Sequence, residues 1–70
     1  MTLGERIADT RKKRGLSQDE LAKIVGVSRQ MMHQYETDVS DPRLFIFCCI
    51  CDALKVPLEY LARGNGENEI

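Results

Sequence analysis

The stretch that decides the fold is SQDELAKIVGVSRQMMHQYE, residues 17–36. It divides at Gly26 into two short segments, each opened by a serine. Ser17 is followed three residues later by Glu20, the spacing of a capping box in which each side chain satisfies a backbone donor of the other residue. Leu21, Ile24 and Val25 then supply an apolar stripe at helical spacing. Gly26 breaks that stripe after barely two turns, and Ser28 restarts it with Met32 and Tyr35 on the inward side. Two short capped helices across a glycine turn have the form of a helix-turn-helix.

Working outward, residues 3–14 read as a first amphipathic helix with Leu3, Ile7 and Ala8 on its apolar side. Thr2 and Glu5 form a second capping box ahead of it, and Gly15 stops it. The cationic run 11–14 suits the negative end of the helix dipole and equally suits phosphate. Residues 37–41 form a connecting loop. Asp41-Pro42 reads as the start of a fourth helix, 42–54, because an acid before a proline caps a first turn well. That helix is apolar almost all round. Leu44, Phe47, Ile50, Cys51 and Leu54 share one face, expected to be core, and Phe45 and Cys49 fall opposite with Ile46 beside them. A fully apolar helix in so small a domain must cover its second face with something. Residues 56–63 make a last short helix around Leu58 and Leu61, with Gly64 as its stop. The fold class expected is all-α, a compact five-helix domain over residues 1–64, with 65–70 as a flexible tail.

The combination Leu16-Ser17-Gln18-x-Glu20-Leu21-Ala22, Gly26-Val27-Ser28 and Tyr35-Glu36 resembles the phage-repressor and Cro-type helix-turn-helix regulators, the Xre-like family. With Pro42-x-Leu44 and Ala53-Leu54-x-Val56-Pro57-Leu58 the resemblance covers roughly residues 3–64. Each piece alone is weak and the combined pattern is specific. The resemblance implies that the second helix of the motif, 28–36, enters the major groove of double-stranded DNA. It implies a phosphate contact and a bracing role for Gln18, and a partly buried ion pair between Arg11 and Glu36 that joins the first and third helices. Two departures stand out. Asp38 occupies a position where the family usually has glycine, at a left-handed helix end that Asp tolerates better than most residues. The loop carries Asp38 and Asp41 where the family is usually basic, with Arg43 the only nearby cation, and weaker backbone contacts are expected.

The outward residues of 28–36 have chemistry suited to base edges. Arginine pairs with guanine O6 and N7, and glutamine with adenine N6 and N7, each through two hydrogen bonds. Arg29 and Gln30 lie at the helix start, which reaches bases first, Gln34 follows one turn later, and Met31 at the edge could touch a thymine methyl. Backbone contacts are expected from Gln18, Ser28, His33, Arg11 and Arg43. A single small domain covers too few base pairs to discriminate well, so a homodimer on a palindromic operator is expected, its contact drawn from Phe45, Cys49, Pro57, Leu58 and Leu61. The alternative is a protein-interaction module of the same fold, holding another protein through helix 42–54.

Composition bounds these readings. Seventy residues make one domain with a small core. The net charge of −1 hides an asymmetry: residues 1–36 carry seven Lys or Arg against five acids, and residues 37–70 carry three against six. A basic front fits a polyanion met by one face. The three cysteines, Cys48, Cys49 and Cys51, crowd one helix, which implies no disulfide framework and lacks the paired spacing of a zinc site. Without an apolar leader or spanning run, the expected location is the reducing cytoplasm. His33 is the single histidine, and no phosphate-cradling glycine loop or paired carboxylates appear. No enzyme, cofactor or metal is expected.

Overall fold

The computed structural model describes residues 1–63, and the expected stop at Gly64 and the tail 65–70 lie outside them. Five helices follow one another with no strand among the described residues: α1 (Leu3–Lys13), α2 (Gln18–Val25), α3 (Arg29–Glu36), α4 (Leu44–Leu54) and α5 (Leu58–Arg63). The two expected capping boxes both form. Thr2 and Ser17 accept from the backbone N–H of Glu5 and Glu20, whose carboxylates accept in return from the cap N–H groups. Gly26 ends α2 at φ 93°, a left-handed conformation that costs a residue without Cβ nothing, and its N–H closes the helix on Ala22 O at 2.8 Å. Ser28 then caps α3 by accepting from Met31 N.

The core is a single cluster drawn from all five helices: Ile7, Leu21, Ala22, Met32, Tyr35, Phe47, Ile50, Cys51, Leu54 and Leu61. On α4 the buried positions Phe47, Ile50, Cys51 and Leu54 follow the i, i+3, i+4, i+7 pattern of one helix face. Packing α2 and α4 against this centre sets α3 at the surface with Met32 and Tyr35 as its inward anchors.

Several expectations need correction. The fourth helix begins at Leu44, not Pro42. The chain stays extended through Arg43, which is the N-cap without a side-chain cap bond, and the first helical bond runs from Phe47 N to Arg43 O. Asp41 therefore caps nothing; the residue before a proline is itself disfavoured in helical geometry. Leu44, expected in the core, is 70% exposed. Side chains on a helix lean toward its N-terminus, so a first-turn leucine overshoots the core layer. Ile46, expected outward, packs against the core instead. Ile24 is exposed because α2 buries Leu21 and Ala22 with Val25 beside them, and position 24 turns away from that side. The last helix starts at Leu58 rather than 56. Leu61, expected at a dimer contact, is wholly buried, because this short helix commits its inward residue to the core.

Asp38 adopts the left-handed conformation expected of it, φ 64°, and does a second job that sequence reading missed. Its carboxylate turns back to the start of α1, accepting from Thr2 Oγ1 at 2.6 Å and Gly4 N at 2.9 Å. Asp38→Ala is expected to lose about 1–2 kcal/mol, from a lost helix-end acceptor together with a Cβ-bearing residue poorly suited to positive φ. Urea unfolding of the two proteins would measure it.

Candidate nucleic-acid interface

The outer face of α3 is built on a buried clamp. Glu36, at the end of α3, takes Arg11 of α1 through two hydrogen bonds: Nε to Oε2 at 2.8 Å and Nη2 to Oε1 at 3.1 Å. The two side chains are 11% and 5% exposed. Arg11 Nη1 also donates to Leu16 O, so one guanidinium ties α1, the turn before α2 and α3. Gln18, first residue of α2, donates from Nε2 to Glu36 Oε1 at 3.0 Å. The ion pair and the bracing glutamine that the family resemblance implied are thus one network. Among the described residues no buried side-chain polar atom lacks a partner.

This network sets Gln18 beside the first turn of α3, where Gln18, Arg29, Gln30 and His33 line one shallow depression. Arg29, Gln30 and His33 are exposed, and none of their side chains is hydrogen-bonded or ion-paired within the described residues. No acid stands in the first turn of α3, so the positive end of its dipole is left to whatever approaches. The remaining predicted residues lie along the other flank. Ser28, Met31 and Arg43 line a groove with Val27, Tyr35, Ser40, Asp41 and Ile46. Ser28's hydroxyl oxygen accepts its cap bond from Met31 N, which leaves the hydroxyl proton to donate outward. Gln34 belongs to neither lining: it is half-buried, and its Oε1 accepts from Ser40 Oγ at 3.3 Å. Arg11 sits behind the surface.

The acidic loop is less adverse than its composition suggests. Asp38 is turned to α1, which leaves Asp41 as the loop acid lining the groove. Two arginines of the cationic run and its helix serve helix ends instead of an outside anion. Arg14 Nε donates to Leu54 O at 2.8 Å, at the end of α4, and Arg6 donates to Leu61 O and Ala62 O in α5. Both place a cation where a helix dipole is negative. Only side-chain reach across the folded chain reveals these contacts, since 40 and 55 residues separate the partners.

The three thiols are free; Cys48 and Cys49 are half-buried and Cys51 is buried. Burial, with Cys48 and Asp52 close by, pushes the Cys51 thiol up, which holds it in the protonated, unreactive form. No cluster of ligating side chains among the described residues could hold a metal ion, and no described helix is long and apolar enough to cross a membrane.

The capped pair, its braced second helix and the supporting three helices define a helix-turn-helix protein. Residues 7–61 match the helix-turn-helix family, of the Cro/C1 type, and the chain belongs to it. It is 34% identical over 55 residues to MJ1164 of Methanocaldococcus jannaschii, named as an HTH-type transcriptional regulatory protein, covering 79% of this chain and 17% of that one. It is 31% identical over 62 residues to the SPbeta prophage-derived uncharacterized HTH-type transcriptional regulator YonR of Bacillus subtilis, covering 89% of this chain and 57% of that one. The chain thus spans only part of the length of both relatives. Among solved structures, the P22 c2 repressor in complex with a synthetic operator superimposes with a TM-score of 0.86 at 34% identity, covering 91% of this chain and 97% of that one.

Proposed function

We propose that this chain is a sequence-specific DNA-binding transcriptional regulator that lays α3 in the major groove and acts as a homodimer on a palindromic operator. The observation that carries this reading is the unpartnered polar face of Arg29, Gln30 and His33 beside a Gln18 that the Arg11–Glu36 pair holds in place. The likeness to a repressor solved on its operator supports it. Arg29 and Gln30 read base edges, Met31 touches a thymine methyl, and Gln34, steadied by Ser40, reads one turn further along. Gln18, Ser28, His33 and Arg43 meet the backbone, with the last guanidinium proton positions of Arg11 behind them. The work is done in the cytoplasm, where the three thiols stay reduced.

Arg29→Ala and Gln30→Ala are each expected to weaken operator binding by about 1–3 kcal/mol and to relax preference at one base pair. A gel-shift series over single-base operator variants measures both. Retained affinity and retained preference in both mutants would overturn this assignment of α3.

The exposed Leu44 and Phe45 favour a second reading, in which helix α4 holds another protein. Salt separates the two. Binding through several phosphates falls steeply between low and moderate salt, whereas an apolar contact holds.

A further inference from the structure

One turn behind Gln30, α3 is gripped by the loop that follows it, and the residue gripped is Gln34. Ser40 meets it twice. The backbone N–H of Ser40 donates to Gln34 O at 3.2 Å, and its hydroxyl donates to Gln34 Oε1 at 3.3 Å. Val39 N also donates to Gln34 O, at 2.9 Å, so backbone bonds lay the loop against the last turn of α3. That places Ser40 Oγ at one end of the Gln34 amide. The other end, Nε2, has no partner among the described residues. Gln34 is half-buried, and every buried side-chain nitrogen or oxygen of the described residues is paired, so Nε2 is open to solvent. It belongs to the side of α3 that carries Gln30 and Met31, its neighbours one turn earlier.

We propose that Ser40 fixes Gln34 as a hydrogen-bond donor and thereby sets the base it reads as guanine, not adenine. The inference rests on the DNA-binding reading above and sharpens one of its contacts. A glutamine takes adenine with both ends of its amide facing the base, Oε1 accepting from N6 and Nε2 donating to N7. Here the bond from Ser40 draws Oε1 toward the loop, and the amide presents its nitrogen edge instead. Adenine then offers N7 alone and sets its N6 amino group against the second amide proton, donor against donor. Guanine offers acceptors at both O6 and N7. A donor left unpaired in a dried contact costs more than a made bond gains, so the mismatch decides the preference. Ser40 is a positioning residue: it acts on the base only through Gln34.

The test uses the full chain and duplexes built on an operator selected from a random pool. Gln34→Ala locates the base pair, as the position where preference is lost. At that pair the wild type is expected to bind guanine about tenfold more tightly than adenine, with thymine, whose O4 is a single acceptor, between them. Ser40→Ala frees the amide to turn, and the guanine-over-adenine ratio is expected to fall below about threefold. Preferences at the other positions and the thermal midpoint are expected to stay, which separates this loss from a loosened fold. Gln34→Glu puts an acceptor where the amide nitrogen stood, and the preference is expected to move to cytosine, whose N4 donates. A side chain that merely packed against the loop would show no such inversion. A chain that selects no operator sinks the DNA-binding reading itself. On a selected operator, three results each overturn the inference alone: Gln34→Ala erasing no preference, a wild type that prefers adenine at this pair, or an undiminished ratio in Ser40→Ala.

Discussion

Replacing Arg11 by methionine is expected to destabilise the domain by about 3–5 kcal/mol, because it strands the Glu36 carboxylate in a site where that side chain is 5% exposed. Gln18 would remain as a single neutral donor, which does not replace two charge-assisted bonds. A chain of 70 residues has a total stability of roughly 4–10 kcal/mol, so the variant should sit near or within its unfolding transition at room temperature. The companion Arg11→Met/Glu36→Leu is expected to regain most of the loss, since the penalty comes from the unpaired charge more than from the absence of the pair. Urea titration followed by circular dichroism would check both. If the single variant unfolds within about 1 kcal/mol of wild type, the pair is not the clamp described here. The double variant should still bind its operator more weakly than its stability implies, because Gln18 has lost the carboxylate that holds it.

Gly4→Ala is expected to cost about 3 kcal/mol, against the usual sign for that change. Within a helix, alanine is favoured over glycine by about 1 kcal/mol. At Gly4, however, a Cβ would stand 2.5 Å from Glu36 O, 2.6 Å from Tyr35 O and 2.8 Å from Asp38 Oδ1. Two of these are backbone atoms at the end of α3 and cannot swing aside. The first turn of α1 would have to lift, breaking the bond from Gly4 N to Asp38 and loosening the seat of α3. Thermal unfolding reads the loss, and an unchanged or raised midpoint would contradict so close an approach of α1 to α3.

What was legible in the residues was local or periodic. The serine caps, the turn at Gly26, the inward Met32 and Tyr35 and the outward Arg29 and Gln30 all follow from spacing within one or two turns. The Arg11–Glu36 pair spans 25 residues and was reachable only through family resemblance. Two kinds of feature were not legible. The first is end effects on α4: an apolar periodicity assigns Leu44 and Phe47 to one face, yet only the fold reveals that the core stops below the first turn. The second is side chains that cap distant elements. Asp38 reads as an unwelcome negative charge in a phosphate-facing loop, Arg6 enters only the charge count, and Arg14 reads as part of a run suited to its own helix end or to phosphate. All three are committed to backbone groups of other helices. Charge counting therefore overstated both the acidity of the loop and the basic charge free to meet a polyanion.

The clasp between Asp38 and the start of α1 has a mechanical consequence. The far end of α3 is fastened to residues 2–4, so the first turn of α1 acts as a strut for α3. The helix is pinned at one end by the turn at Gly26 and at the other by this strut. On the proposed reading, affinity for DNA is then open to tuning from behind: a change of length or chemistry at Thr2 or Gly4 is expected to shift α3 while Arg29, Gln30 and His33 keep their identity.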